Sequence, residues 1–303
     1  MAERTSRNTL KTCVLLGVLG GLFVLVGDLV APAGGAVAGL AVGLLVAAGT
    51  YWFSAPLAVR AAGARRVTAA ENPRLAAVVV ELAARARLPM PELYLAPSGQ
   101  PNAFATGRDP RHAAVCVTQG ALDLLDDDEL AGVLAHELAH VANRDVLVGS
   151  VAAAVAMALT LVARLALWGT VLGGQPVQPV RRRRGNPLGR LGLVAMSLLA
   201  PVAALVVRLA ISRTREFEAD RAGADLVGTG EPLARALAKI DTAAHALPSH
   251  VDAAQATAYV VNPLTGRRVP FARLFVTHPP TAERIVRLFV ETARRTARTQ
   301  HGT

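Results

Sequence analysis

Residues 136–140 read His-Glu-Leu-Ala-His, and the rest of the sequence is interpreted from them. Residues four apart lie on the same face of an α-helix, so the imidazoles of His136 and His140 can both reach one metal ion. Glu137 lies between them, beside the water molecule that the metal would activate. This is the layout of a zinc peptidase, with zinc as Lewis acid and Glu137 as general base. An amphipathic helix with two hydrogen-bonded histidines would show the same short pattern.

The residues before this motif are typical of a helix N-terminus. Asp126 and Glu129 have the spacing of a capping box, and Asp127 and Asp128 suit the positive end of the helix dipole. The sequence therefore predicts a helix from about Asp127 to Asn143 that carries both histidines.

A third metal ligand is needed, and no Gly and His follow His140 at the spacing of a three-histidine site. Two-histidine, one-glutamate sites take this ligand from a second helix. Glu216 is the best candidate, and Asp220 lies one turn further, where it can hydrogen-bond a ligand imidazole. Glu218 points to another side of the helix, as a solvated charge would. Taken alone, residues 212–220 are better explained as an ordinary charged helix start.

Four motifs occur in a fixed order along the chain. They are Pro-Asn-Ala-Phe-Ala-Thr-Gly at 101–107, His-Glu-Leu-Ala-His at 136–140 with Asn-Arg-Asp at 143–145, Glu-Phe-Glu-Ala-Asp at 216–220, and Thr-His-Pro-Pro at 277–280 followed by Glu283 and Arg284. In this order they resemble the HtpX family of bacterial membrane-bound zinc metalloproteases, which is related to the prenyl-protein (CAAX) endopeptidases. The resemblance runs from about Asn72 to Asp145 and from Ser212 to about Leu288.

The resemblance implies a set of roles for the residues already singled out. Zinc would be held by His136, His140 and Glu216, and Glu137 would be catalytic. The substrates would be damaged or misassembled membrane proteins, cleaved from the cytoplasmic side in protein quality control and the stress response.

Two further sites each have two interpretations. Asn102, Ala103 and Phe104 lie on a predicted strand, which is either an exposed sheet edge that an extended substrate joins or a plain structural strand. His278 precedes a helix and could stabilise the oxyanion on the attacked carbonyl, or it could be a capping or packing residue. The resemblance favours the catalytic role for His278.

The composition indicates a membrane protein. The mean hydropathy is +0.39, and 18% of the 303 residues are charged. Residues 12–27 and 29–59 contain no charged side chain, which predicts a transmembrane hairpin within residues 1–60. A cleaved signal peptide is the alternative, but a second apolar stretch follows the first at once. The arginines just after residue 59 put the catalytic region in the cytoplasm by the positive-inside rule.

An insert at residues 147–211 separates the two halves of the predicted zinc site. Residues 146–163 and 191–207 are uncharged, and because the two halves must meet, the insert crosses the membrane twice or not at all. Two crossings would place Arg181–Arg184 outside, against the positive-inside rule. A hairpin at the cytoplasmic face would keep these arginines against anionic headgroups. The near full span length of both stretches favours two crossings.

The net charge of +10 does not indicate a nucleic-acid partner. No aromatic residue is interleaved with Arg181–Arg184, and no nucleic-acid-binding signature occurs, so membrane lipid is the expected partner of this loop. Cys13 and Cys116 lack metal-site spacing, and no disulfide between them is expected.

Together these features predict a mostly helical α+β membrane protein with a zincin-like catalytic domain, an active-site helix, a small β-sheet and two membrane hairpins. Residues 61–146 and 212–303 would form the catalytic domain. Its predicted helices lie at about 73–86, 127–143, 212–227 and 232–246, and its predicted short strands lie near 93–95, 102–106 and 113–118. The predicted function is a zinc metalloendopeptidase of the cytoplasmic membrane that acts on protein or peptide substrates. The alternative is a membrane-anchored zinc protein, such as an assembly factor or sensor, which would not need Glu137. A peptidase for prenylated termini would need a larger lipid-admitting chamber.

Overall fold

The computed structural model describes residues 34–149, 151, 213–246, 259–261 and 279–301, together with scattered positions between 10 and 28. The described part is a helix-rich mixed fold with one small mixed sheet. Its elements are α1 (Gly35–Trp52), α2 (Ser54–Ala61), β1 (Arg65–Arg66), α3 (Pro73–Ala86), β2 (Glu92–Ala96), β3 (Ala103–Gly107), β4 (Ala113–Thr118), α4 (Gln119–Leu124), α5 (Asp127–Ala142), α6 (Arg213–Val227), α7 (Glu231–Ala246) and α8 (Thr281–His301).

The sheet has the strand order β1-β2-β4-β3. Strands β2 and β4 are parallel, with Glu92 opposite Ala114, whereas β1 and β3 pair antiparallel with their neighbours. Side chains alternate between the two faces, as the strand period of two requires. Val115 and Val117 join the main core, while Cys116 joins a smaller cluster on the other face. Because the strand order is β1-β2-β4-β3, strands β1 and β3 form the two edges of the described sheet.

Helix α5 lies at the centre of the helical layer. It is buried on most of its circumference, where it packs against α3, α6, α7 and β3. The main-core side chains of these helices include Leu130, Leu134 and Leu138 of α5, Leu75 and Val79 of α3, and Leu233, Leu237 and Ile240 of α7. A helix that is buried nearly all round holds its side chains in fixed positions, because close-packed neighbours restrict their rotamers.

The predicted capping box at the start of α5 is confirmed. The Asp126 carboxylate accepts a hydrogen bond from the Glu129 backbone N–H at 2.8 Å, and the Glu129 carboxylate accepts one from the Asp126 backbone N–H at 3.0 Å. Glu129 is also buried against Lys239 of α7, whose Nζ lies 2.6 Å from Glu129 Oε2. The same residue therefore caps α5 and ties it to α7.

A left-handed residue ends α5 beyond its C-cap. Arg144 has a φ of 58°, which a residue with a side chain adopts at an energetic cost. The chain turns there, and residues 145–149 are again helical. This turn brings Asp145 back towards the last turn of α5.

The elements predicted for the catalytic region are present within one or two residues of their predicted ends. These are the helices at 73–86, 127–143, 212–227 and 232–246 and the strands near 93–95, 102–106 and 113–118. The short elements β1 and α4 were not predicted. Within the uncharged stretch at 29–59, the helix breaks at Phe53 between α1 and α2.

No single helix of the described chain is long and apolar enough to cross a membrane. One bent pair, Gly35–Gly49 with Ser54–Ala61 at 74°, has the required length and composition when taken together. The transmembrane hairpin within residues 1–60 therefore stays a prediction. The insert at 147–211 lies almost wholly outside the described residues, and so do most of residues 248–275.

Replacing Gly223 by alanine should destabilise the fold. Helix α6 approaches α5 so closely at Gly223 that an added Cβ would lie 2.8 Å from the backbone nitrogen of His136. Backbone cannot move aside as a side-chain tip can, so we expect a loss of about 1–3 kcal/mol despite the better helix propensity of alanine. The measurement is urea unfolding of the purified protein in detergent. Gly149→Ala is the control, because Gly149 is helical and no atom of the described residues lies within 4 Å of the added Cβ. Equal stability of the two variants would contradict the close approach.

Candidate active site

His136, His140 and Glu216 come together in the structure, although the insert separates the first two from the third. One ligand atom from each lies within 4.8 Å of the others, and no other such group of three or more occurs among the residues described. His136 Nε2 lies 3.2 Å from His140 Nε2. Glu216 Oε2 lies 4.0 Å from His136 Nε2, and its Oε1 lies 3.6 Å from His140 Nε2. Helix α5 supplies the two imidazoles from successive turns, and α6 supplies the carboxylate.

The other nitrogen of each imidazole faces a carboxylate. His136 Nδ1 lies 2.9 Å from Asp220 Oδ1, and His140 Nδ1 lies 3.2 Å from Asp145 Oδ2. A neutral imidazole that donates from Nδ1 keeps the lone pair on Nε2. The two Nε2 lone pairs then face each other at 3.2 Å, an arrangement that repels unless a proton or a cation lies between them.

The spacing and the chemistry of these donors fit a zinc ion. Zinc binds imidazole nitrogen and carboxylate oxygen at about 2.0–2.2 Å in tetrahedral sites, which places neighbouring ligand atoms about 3.3 Å apart. The three observed separations, from 3.2 to 4.0 Å, bracket this value.

The charges of the buried side chains around the site also favour a bound cation. Four buried carboxylates meet two buried guanidinium groups among the described residues: Glu137, Asp145, Glu216 and Asp220, with Arg215 and Arg284. The cluster therefore carries an excess of negative charge when both imidazoles are neutral. Burial alone would lower the pKa of His140, but its hydrogen bond to Asp145 and the charge of Glu216 raise that pKa to about 9. In the metal-free protein a proton on His140 offsets part of this excess.

Arg284 of α8 is buried beside the site, with only 1% of its surface exposed. Its Nη2 and Nε lie 2.6 and 3.0 Å from the two oxygens of Asp220, and its Nη1 donates to the carbonyl of Val260 at 2.8 Å. Burial and the charge of Arg284 lower the pKa of His136 to about 4. Arg284 therefore holds Asp220 in place and, together with burial, favours neutral His136, the form that binds metal.

The roles of Arg284 and Asp145 were not predicted from the sequence. Both residues belong to motifs in the sequence, but no helical or strand spacing connects residue 284 with residue 220 or predicts the turn at Arg144. A buried ion pair between distant segments has no local sequence signal other than the charged residues themselves.

Glu137 lies beside the cluster and is held by strand β3. The backbone N–H of Ala105 donates to Glu137 Oε2 at 2.8 Å. Burial raises the pKa of Glu137 to about 7, against the lowering effects of His140 and of the Ala105 hydrogen bond. A carboxyl group with a pKa near neutrality can both accept and return a proton at physiological pH.

Strand β3, which holds Glu137, is an edge strand of the described sheet, and every one of its residues is buried. Residues 259–261 lie along its first part. The Val260 N–H donates to the Ala103 carbonyl at 3.0 Å, and the Asn102 side chain donates to the Val261 carbonyl at 2.7 Å. The rings of Phe104 and Tyr259 pack edge to face with centroids 4.9 Å apart. A substrate-binding role for Asn102, Ala103 and Phe104 stays a prediction. His278 lies outside the described residues, and its predicted role stays a prediction as well.

Comparisons with known proteins cover both halves of the site. Residues 69–291 match the family described as Peptidase family M48. The chain is 47% identical over 289 residues to the Protease HtpX homolog of Kineococcus radiotolerans, which covers 93% of this chain and 96% of that protein. It is 45% identical over 282 residues to the Protease HtpX homolog of Pelotomaculum thermopropionicum, covering 93% and 98%. The crystal structure of S. mikatae Ste24p has a similar fold, with a TM-score of 0.51 at 18% identity over 95% of this chain and 67% of that chain.

Arg284→Met should strongly destabilise the protein. The change leaves the carboxylate of Asp220 buried without its guanidinium partner, and breaking a buried pair in this way costs about 3–5 kcal/mol. Chemical denaturation of the metal-free protein in detergent measures the effect. The control is Arg221→Met, because Arg221 also bridges two helices, to Glu291 at 3.1 Å, but its side chain is 65% exposed. We expect that control to cost no more than about 1 kcal/mol. Similar losses in both variants would contradict the role of the buried pair.

Proposed function

The chain belongs to peptidase family M48, as its HtpX-like motifs predicted, and we propose that it is a membrane-bound zinc metalloendopeptidase of damaged or misfolded membrane proteins. Its family membership and its relatives make it a membrane-associated metallopeptidase. The choice of zinc, the general base and the substrate class belong to the proposal. The observation that carries it is the buried cluster of His136, His140 and Glu216 with the carboxyl group of Glu137 beside it.

Zinc would be held by the Nε2 atoms of His136 and His140 and by the carboxylate of Glu216. Three protein ligands leave a further position open, as in catalytic rather than structural zinc sites. When bound, zinc supplies Lewis acidity, which lowers the pKa of water and polarises a carbonyl group. Asp220 and Asp145 keep both imidazoles turned with Nε2 towards the ion.

Glu137 is the proposed general base. Its carboxylate accepts a proton from the attacking water and returns that proton to the nitrogen of the departing amine. The Ala105 N–H holds one oxygen of the Glu137 carboxylate, and the same hydrogen bond fixes the orientation of the other oxygen. Burial raises its pKa to about 7, and a divalent cation nearby favours the ionised form that a base needs.

The proposed substrate is an extended peptide that lies along β3. The Ala105 N–H of this edge binds Glu137, so a chain beside Ala105 would lie next to the base. Asn102, Ala103 and Phe104 are the proposed contacts at the start of this edge, and because residues 259–261 bond to Asn102 and Ala103 there, the substrate would have to displace them. His278 is proposed to stabilise the oxyanion on the attacked carbonyl.

The proposed location is the cytoplasmic membrane, with several spans and with the catalytic domain facing the cytoplasm. The support is the two uncharged stretches near the N-terminus, the arginines that follow them and the apolar insert. Membrane lipid is the proposed partner of the Arg-rich loop within that insert.

Glu137→Gln should separate a peptidase from a protein that only binds zinc. The three ligands remain, so we expect zinc content to be unchanged, whereas turnover should fall by about 10²–10⁴-fold because nothing accepts the proton of water. Digestion of casein and metal analysis of the purified protein are the two measurements. Glu81→Gln, an exposed change on α3, is the control and should leave both unchanged. Near wild-type digestion by Glu137→Gln would refute the role of Glu137, and an inactive wild type would favour the zinc-binding alternative.

Glu216→Ala and Glu218→Ala should differ sharply. Loss of Glu216 removes a ligand, so we expect weak zinc binding and no activity, whereas Glu218→Ala should retain both. Asp220→Ala should fall between them, with zinc affinity or activity lowered by about 10–100-fold. Zinc stoichiometry of the purified variants decides the assignment. Loss of metal in Glu218→Ala but not in Glu216→Ala would reverse it.

A further inference from the structure

The ion pair between Asp145 and Arg215 lies where the chain enters and leaves the insert. Asp145 follows the turn that ends α5, shortly before the chain enters residues 147–211. Arg215 lies in the first turn of α6, shortly after the chain leaves them. Arg215 Nη1 lies 3.4 Å from Asp145 Oδ1, and both side chains are 8% exposed. The pair therefore joins the two ends of the insert inside the protein.

Each partner of this pair is connected to a different proposed metal ligand. The second oxygen of Asp145, Oδ2, accepts the hydrogen bond of His140 Nδ1 at 3.2 Å. Arg215 directly precedes Glu216 in the first turn of α6. One carboxylate thus orients the imidazole of His140, and the arginine that pairs with it fixes the start of the helix that brings in Glu216.

We propose that Asp145 and Arg215 are positioning residues. Their ion pair, the Asp145–Arg215 clamp, holds the two ends of the insert together and thereby keeps His140 and Glu216 at the spacing that the metal needs. The inference rests on the proposed zinc site. Bringing together the ends of a long insert costs conformational entropy, and α6 must be fixed by contacts at its first turn if Glu216 is to stay within reach of His140. A side-chain pair that closes the loop and orients a ligand meets both needs.

The other proposed zinc histidine has a comparable but separate support. His136 is oriented by Asp220, which is paired with Arg284 from α8. That chain of contacts does not involve the ends of the insert. The Asp145–Arg215 clamp therefore makes a prediction of its own, because it links the geometry of the metal site to the closure of the insert.

The test compares zinc affinity in Asp145→Asn, Arg215→Met and the double variant of the full chain in detergent. Competition with a chromophoric zinc chelator gives the dissociation constant, and unfolding of the metal-free protein gives its stability. We expect each single variant to bind zinc about 10–100-fold more weakly, in the range of changes to groups that orient a ligand. The double variant should be no weaker than the weaker single variant, because residues that act as one unit are not additive. Arg215→Lys should recover most of the affinity, since an ion pair at 3.4 Å needs only the positive charge.

The matched control is Arg221→Met on the same helix, whose exposed arginine pairs with Glu291 and should leave zinc affinity unchanged. Wild-type affinity in Arg215→Met would overturn the inference, and so would lower metal-free stability with unchanged zinc binding. Arg215→Met leaves the acceptor of His140 in place, so it tests the clamp even if Asp145→Asn is too unstable to purify. Failure of the wild-type protein to bind zinc would instead refute the proposed function.

Discussion

The close approach of α6 to α5 is the constraint on which the rest of the structure depends. The two imidazoles come from one helix and the carboxylate from another, and the chain between them runs through the insert. Gly223 allows the approach, since a side chain there would meet the backbone of His136. Helix α5 in turn is fixed because α3, α7 and the sheet bury it on most sides. The core is therefore what sets the distance between Glu216 and the two histidines.

Buried charge gives the site its chemical character. Carboxylates outnumber guanidinium groups among the described residues around the cluster, which is unfavourable in a buried region unless a cation is present. Each imidazole faces a carboxylate on one side and the cluster on the other, and each of those carboxylates is paired with an arginine. The same ion pairs thus stabilise the fold and direct two nitrogen lone pairs to one point. This excess of negative charge would favour the binding of a dication.

Strand β3, at the edge of the described sheet, is bonded to this cluster through Glu137. Ala105 holds Glu137 through its backbone N–H, so the proposed base is bonded directly to the proposed substrate edge. Residues 259–261 lie along the first part of that edge, and the carbonyl of Val260 also accepts a hydrogen bond from Arg284. The segment beside the strand is therefore bonded to the same arginine that supports His136 through Asp220.

The sequence by itself determined the helix that carries His136 and His140, its capping box, the short strands, and the spacing of Glu216 and Asp220 one helical turn apart. These features depend on local spacing, because helical and strand periods place residues a few positions apart on one face. The family also followed from the order of the motifs. Only the tertiary structure decided the burial of β3 beneath residues 259–261 and the pairing of Asp145 with Arg215 and of Asp220 with Arg284. Those contacts join residues far apart in the chain, and packing between elements, which has no periodic signal in the sequence, brings them together.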